Sequence, residues 1–99
     1  MQVLFASNAL QKAYEESDRA VRRWGAEVAR KYVQRIDALY AAEEFDDIKT
    51  IQAFRTHELA SERKGDWAIK LTRRSRLIVV PSGDSKVVTV KEVSQHYGD

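Results

Sequence analysis

The residues of this chain best suited to chemistry on a phosphate are two histidines, a tyrosine and several cations in its second half. They are His57, Arg63, Lys64, Arg73, Arg74, Arg76, His96 and Tyr97. Neighbouring strands can bring residues that are tens of positions apart within about 5 Å on one face of a sheet. A base, a cation and an acid gathered around a phosphodiester can cleave RNA without a metal. The alternative is that His57 is an ordinary surface histidine and that the terminal pair lies in a frayed chain end.

Positive charge is concentrated in the same part of the chain. The 99 residues carry a formal net charge of only +2. Residues 55–76, however, hold 7 basic residues against 3 acidic ones. A focused basic patch attracts polyanions, nucleic acid above all, because neutralised phosphates release condensed counterions. A solvated surface is the alternative interpretation of the same charges.

Several classes of protein are excluded by what the sequence lacks. There is no cysteine, which excludes disulfide scaffolds, zinc–thiolate sites and thiol catalysis. No phosphate-binding loop, dinucleotide turn, nucleophile elbow or metal-ligand spacing occurs, so we expect neither a metal nor a cofactor. No apolar run approaches the roughly 20 residues that span a bilayer. The start of the chain lacks the features of a secretory signal, so we expect a cytoplasmic protein without a membrane partner.

The first half has the periodicity of helices. Apolar residues recur at steps of 3 or 4, at Val21, Trp24, Val28, Tyr32, Ile36 and Leu39. This spacing predicts one helix that begins at an Asp18 cap and runs to Ala42, with Gly25 as an interruption. A second helix is predicted over 8–17, which would complete a helical hairpin, and a short strand over 3–5. Trp24 is expected in the core.

The second half changes to the period of strands. Strands are predicted over 54–59, 66–72, 76–80 and 86–93, with a tight connection at 72–75 and a turn at 81–85. Trp67 is expected to anchor the core from the second of these. At this length a single core serves the whole chain. We therefore predict one α+β domain over 1–99, in which the hairpin packs on a small antiparallel sheet of three to five strands.

The stretch from Arg55 to Leu71, followed by Arg-Leu-Ile-Val at 76–79, resembles the HigB branch of the RelE/ParE toxin superfamily. The matching positions are His57, Leu59, Arg63, Gly65, Trp67, Arg76, Glu92 and the terminal His96–Tyr97 pair, with Arg23-Trp24-Gly25 in the long helix. The resemblance follows the same order of elements over nearly the whole chain. It implies a RelE-like fold and a toxin that enters the ribosomal A site and cleaves mRNA. The implied partners are a helix-turn-helix antitoxin of the HigA type, the ribosome and its mRNA.

The resemblance also implies roles for individual residues. His57 is the acid/base candidate, Arg76 the cation at the scissile phosphate, and His96 with Tyr97 the pair that orients or deprotonates the nucleophile. The expected RNA and phosphate contacts are Arg63, Lys64, Arg73 and Arg74.

Three positions depart from the family pattern. Ala60-Ser61-Glu62 replaces a run that often holds a lysine and a glycine, and the order of the terminal pair is reversed. Ser75 stands where an aromatic residue often precedes the strand arginine. Two other functions therefore stay open. One is a ParE-like inhibitor of gyrase, which would need no histidines, and the other is a non-enzymatic RNA-binding module or a toxin that has lost its activity.

Overall fold

The computed structural model describes residues 1–97, which form four α-helices and five strands. The helices are α1 (Asn8–Glu15), α2 (Ser17–Trp24), α3 (Ala26–Ala41) and α4 (Phe45–Lys49). The strands are β1 (Gln2–Phe5), β2 (His57–Glu58), β3 (Trp67–Lys70), β4 (Arg76–Pro81) and β5 (Val87–Ser94). Short 3-10 turns lie at Gln52–Phe54 and Ser61–Arg63. None of the helices within 1–97 has the length and apolarity needed to cross a membrane.

The strands form one sheet in the order β1-β5-β4-β3-β2. The last four strands of the chain pair antiparallel, as the alternating pattern predicts, while β1 joins β5 in parallel at the far edge. The helical segment between β1 and β2 covers one face, and its apolar side chains join those of the sheet in a single core. The predicted α+β architecture, with a helical hairpin on a small sheet, is confirmed. The opposite face of the sheet is called the open face below.

The single helix predicted from an Asp18 cap to Ala42 is wrong in its details. Gly25 takes φ = +86°, a conformation that side-chain-bearing residues avoid. The chain therefore ends α2 at Trp24 and begins α3 at Ala26. Asp18 lies inside the first turn of α2 rather than at its cap, and its carboxylate accepts a hydrogen bond from Arg22 at 2.8 Å.

Two aromatic residues tie the helices together. Tyr32 is fully buried, and its hydroxyl donates to the carbonyl of Leu10 at 2.7 Å. Trp24 packs against Tyr32 with ring centroids 4.6 Å apart, so its predicted core position is confirmed. On the sheet, Trp67 is half-buried and packs edge-on against Phe45 of α4, with ring centroids 5.6 Å apart, so it lies at the margin of the core rather than inside it.

The strand predicted over 54–59 is reduced to the two residues of β2. Phe54 belongs to a 3-10 turn and is buried, with the guanidinium of Arg35 lying 4.4 Å from its ring centre. Arg55 then adopts a left-handed backbone conformation, with φ = +47°, which interrupts any extended run. The pairing with β3 starts only at His57.

Candidate active site on the open face

The open face of the sheet carries the polar residues of β2 to β5. Directly paired residues of antiparallel strands project to the same side. One such row crosses the sheet through His57, Ala68, Ile78 and Glu92, and the next through Lys70, Arg76 and Ser94. Ala68 and Ile78 are fully buried, yet they lie outside the core cluster beneath the helices. They therefore form an apolar floor under the charged side chains of this face.

His57 and Tyr97 meet although 40 positions separate them in sequence. Nδ1 of His57 lies 2.9 Å from the carbonyl oxygen of Arg55, and Nε2 lies 2.5 Å from the hydroxyl of Tyr97. Because a carbonyl oxygen only accepts hydrogen bonds, the proton of the neutral ring is assigned to Nδ1. Nε2 then accepts the hydrogen bond that the Tyr97 hydroxyl donates. Both groups lie within reach of solvent.

Arg76 contacts the ring of the same tyrosine. Its guanidinium carbon lies 4.6 Å from the centre of the Tyr97 ring. Nη1 donates to the carbonyls of Thr72 and Ser75 at 2.8 and 3.0 Å, which fixes the side chain on the 72–75 turn. Nε is buried and has no hydrogen-bond partner within residues 1–97. Within the described part of the chain, one buried donor of this cation is thus unsatisfied. His57, Tyr97 and Arg76 are called the reactive cluster below.

The end of the described chain is held against the turn that precedes β4. The amide of Tyr97 donates to the carbonyl of Arg74 at 3.0 Å. This contact brings the terminal tyrosine onto the open face, with His96 exposed beside it in sequence. Arg73 and Arg74 are exposed on the same turn. Three further residues predicted for the site therefore lie on elements that adjoin the reactive cluster, namely Arg73, Arg74 and His96.

Arg63 and Lys64 lie near the start of β3, at the end remote from Lys70 and Arg76. Both are exposed on the loop before β3. Arg63 is paired with two carboxylates: its Nη2 lies 3.3 Å from Asp66 Oδ2 and 3.6 Å from Glu92 Oε1. Lys91 also reaches Asp66 Oδ2, at 2.8 Å. The structure thus places Arg63 in an ion-pair network rather than beside His57 and Arg76.

Asp66 is the anchor of that network and was not predicted from the sequence. It is buried, whereas the cations around it are half-exposed. The hydrogen bond from Lys91, followed by the charge of Lys91 and the contacts of Arg63, lowers the pKa of Asp66 against the opposing effect of burial. Asp66 is therefore an anion in the folded protein near neutral pH.

Lys91 was missed for a different reason. A bulge in β5 pairs Ile78 with Glu92 but Val79 with Val90, which leaves Lys91 as the extra residue. Val90 faces the core, so neither Lys91 nor Glu92 follows from a simple alternation through the strand. The only signal in the sequence is the charged pair in an otherwise apolar alternating run.

The reactive cluster has the parts that acid–base cleavage of a phosphodiester needs. The Tyr97 hydroxyl, backed by Nε2 of His57, can exchange a proton with a hydroxyl group placed beside it. The guanidinium of Arg76 can offset charge that develops on a phosphorane. No group of three or more histidine or carboxylate side chains within residues 1–97 is placed to hold a metal ion.

Solved structures of bacterial toxins share this fold. The YoeB/ParE toxin from Agrobacterium tumefaciens is 19% identical, covers 98% of this chain and 100% of its own, and superposes with a TM-score of 0.59. YafQ from E. coli is 13% identical, with coverages of 95% and 91% and a TM-score of 0.62. The YoeB–YefM complex from Staphylococcus aureus is 16% identical, covers 98% of both chains and gives a TM-score of 0.56.

A toxin–antitoxin complex from Mycobacterium tuberculosis, RelBE2, is also similar, at 12% identity, 96% of both chains and a TM-score of 0.51. No protein-family model matches the chain, and no curated protein matches it. At these identities the likeness establishes the fold, which is that of RelE-like toxins. It leaves function to be argued from the site itself.

Proposed function

We propose that this chain is the toxin of a type II toxin–antitoxin pair and that it cleaves mRNA in the ribosomal A site. The fold is shared with solved toxins over nearly the full length of both chains. The observation that carries the proposal is the contact of His57 with Tyr97, at 2.5 Å, beside the guanidinium of Arg76. A toxin that acts only by binding has no need of a basic nitrogen, a hydroxyl and a cation in one open cluster.

Cleavage starts with the ribose 2′-hydroxyl next to the scissile phosphate. Tyr97 passes its own proton to Nε2 of His57 as it takes the proton of the 2′-hydroxyl. The 2′-oxygen then attacks phosphorus, and the bond from phosphorus to the 5′-oxygen breaks. The products are a 2′,3′-cyclic phosphate and a 5′-hydroxyl end, so proton number is conserved once an acid protonates the leaving oxygen. His96 is the proposed acid, as the terminal histidine beside Tyr97.

Arg76 is the proposed partner of the phosphorane. Its three contacts with backbone carbonyls of the 72–75 turn hold the guanidinium in place before RNA arrives. Preorganised cations of this kind contribute about 3–4 kcal/mol to a transition state when they act where charge develops. Arg73 and Arg74 extend the positive surface from the same turn and are proposed to contact neighbouring phosphates, as is Lys64 on the loop before β3.

The ribosome supplies what this small domain lacks. A net charge of +2 gives weak attraction for free RNA, since affinity grows with the number of phosphates neutralised. Holding mRNA in a fixed geometry in the A site would convert a weak encounter into an effectively intramolecular reaction. The proposed partner that restrains the toxin is a helix-turn-helix antitoxin of the HigA type, and the proposed branch is that of HigB.

The direct test is to map mRNA 5′ ends after a short pulse of expression. Wild type is compared with Arg76→Ala and with Arg22→Ala, a matched control on α2 whose side chain is 67% exposed. We expect new 5′ ends inside translated reading frames for wild type and the control, and their loss in Arg76→Ala. Circular dichroism and urea unfolding establish that each variant is folded.

Other results would favour the other functions. Growth arrest without new 5′ ends, retained in the double variant His57→Ala/His96→Ala, would point to a gyrase inhibitor of the ParE kind. Normal growth and no new ends would indicate a binding module or a toxin that has lost activity. New ends with Arg76→Ala as abundant as with wild type would remove Arg76 from the reaction.

A further inference from the structure

A second group of cations lies on the open face, away from the reactive cluster. Arg63 and Lys91 both bind the same oxygen, Oδ2 of Asp66, at 3.3 and 2.8 Å. Their side chains are 46% and 45% exposed, whereas the Asp66 side chain is only 11% exposed. A nearly buried carboxylate therefore holds two cations side by side with much of each facing solvent.

The register of the sheet places this group at a definite distance from the chemistry. Asp66 directly precedes β3, while Lys70 at the end of β3 pairs with Arg76. Four residues of extended chain span about 13 Å. Lys91 reaches Asp66 across the intervening strand β4 because the bulge leaves it as an extra residue of β5. Asp66 and its two cations thus lie about 13 Å along the sheet from Arg76, while His57, which pairs with Ala68, lies at a level between them.

The two carboxylates around Arg63 differ in how firmly they hold it. Asp66 is buried and receives hydrogen bonds from both Nε and Nη2 of Arg63. Glu92 is 46% exposed and lies 3.6 Å from Nη2, beyond hydrogen-bond distance. An exposed pair at this distance is weak. A phosphate can therefore replace Glu92 at Arg63, while Asp66 stays in place.

We propose that Arg63 and Lys91 form a second phosphate subsite for RNA, that Asp66 is their positioning residue, and that Glu92 competes with the phosphate for Arg63. This subsite rests on the proposed function, because it presumes that RNA lies along the open face with its scissile phosphate at Arg76. It predicts the path of the RNA over the open face, from Arg76 toward the loop before β3.

Substitution of the two acids distinguishes a positioning role of Asp66 from a simple response of RNA binding to net charge. Asp66→Asn and Glu92→Gln each remove one negative charge, and Asp18→Asn on α2 is a control that raises the net charge by the same amount elsewhere. Binding is measured by fluorescence anisotropy with a labelled single-stranded RNA whose riboses are all 2′-O-methylated. This probe has no 2′-hydroxyl and is not cleaved, so binding is separated from catalysis.

We expect Asp66→Asn to weaken binding about tenfold, since both cations lose their fixed position. Glu92→Gln should strengthen it about threefold, and Asp18→Asn should leave it unchanged. Equal strengthening by Asp66→Asn and Glu92→Gln would overturn the positioning role, because it would show a response to net charge only. Urea unfolding of Asp66→Asn shows whether the variant is folded at the temperature of the assay.

Lys91→Gln provides a second test that does not depend on Asp66. Loss of one phosphate contact lowers the slope of log K against log salt by about 0.7 for single-stranded RNA. Lys12→Gln on α1 is the matched control and should leave the slope unchanged. An unaltered slope in Lys91→Gln would overturn the subsite.

The two proposals fail in different ways. If wild type cleaves no mRNA but the binding order and the salt slopes hold, the subsite stands and the nuclease function falls. If mRNA is cleaved and the variants bind alike, the subsite falls and the nuclease function stands.

Discussion

The two faces of the six-residue strand β4 differ in what their side chains contact. Leu77 and Val79 are fully buried in the core beneath the helices. Arg76, one residue away, faces the open side and binds the carbonyls of the 72–75 turn. Ile78 also belongs to the open side, but it is fully buried beneath the polar side chains.

The difference shows how a domain of this size combines stability with an exposed site. The helix-covered face supplies the apolar burial, so the open face is free to keep unsatisfied and charged groups. Arg76 lies on β4, whose other side is packed into the core, and Asp66 directly precedes β3. Substitutions on the helix-covered face should therefore lower stability, whereas substitutions on the open face should lower activity.

The largest expected effect is on the open face. His57→Ala and Tyr97→Phe should each lower the cleavage rate by about 100-fold or more, the range for losing a general base. Because the two groups act through one hydrogen bond, the double variant should be little slower than either single variant. Single-turnover cleavage of ribosome-bound mRNA measures all three. If the fold-loss of cleavage rate in the double variant equals the product of the two single losses, the two groups act separately.

A substitution on the core face should have the reverse signature. Leu77→Ala should lower the free energy of unfolding by about 2–5 kcal/mol, because it leaves a cavity in the core. At a temperature where the variant remains folded, its cleavage rate per folded molecule should match wild type. Urea unfolding and active-site titration measure the two quantities. A loss of cleavage rate in Leu77→Ala as large as that in Tyr97→Phe would contradict the division of stability and activity between the two faces.

Removing one of the two exposed arginines of the 72–75 turn should have a smaller effect. Arg73→Ala removes a proposed phosphate contact without touching the reactive cluster. We expect KM to rise a few-fold with little change in kcat, since such a contact is made equally in ground and transition states. Steady-state kinetics at two salt concentrations check this. A fall in kcat with unchanged KM would place Arg73 in the reaction itself.

The smallest expected effect is the acid dependence of Asp66. Its pKa in the folded protein lies below the ordinary 3.8, so its ionised form contributes stability above that value. This contribution is lost as pH falls from 3.8 toward the lowered pKa. The gap in urea midpoint between wild type and Asp66→Asn should therefore be present near neutral pH and shrink in acid. A difference in urea midpoint that does not change with pH would show that it arises from packing and not from the charge of Asp66.

The strands of the second half could be predicted because period-2 alternation survives in them, as in Trp67, Ile69 and Leu71. The end of α2 could not, because only a positive φ at Gly25 distinguishes a break from a tolerated glycine. Helix α4 is too short to show a period. The strand expected at 54–59 failed because the burial of Phe54 and the left-handed Arg55 override local preference.

Part of the site could be predicted and part could not. His57, Arg76 and Tyr97 were named by residue type and by family resemblance, and the structure brings them together. Asp66, although in the same stretch, is only one more charge in the sequence, since nothing there shows that it is buried and hydrogen-bonded to Lys91 of β5. Lys91 is the extra residue of a bulge in β5, which no local pattern in the sequence predicts. The ion pairs of Arg63 with Asp66 and Glu92 could not be predicted for the same reason.

The proposed cleavage depends most on the hydroxyl of Tyr97, since it connects His57 to the RNA. The most direct measurement is the single-turnover rate of mRNA cleavage on programmed ribosomes by wild type and by Tyr97→Phe, with ribosome binding measured in parallel. We expect Tyr97→Phe to cleave about 100-fold more slowly or worse, with unchanged ribosome binding. Cleavage by Tyr97→Phe at the wild-type rate would contradict the proposed role of this hydroxyl.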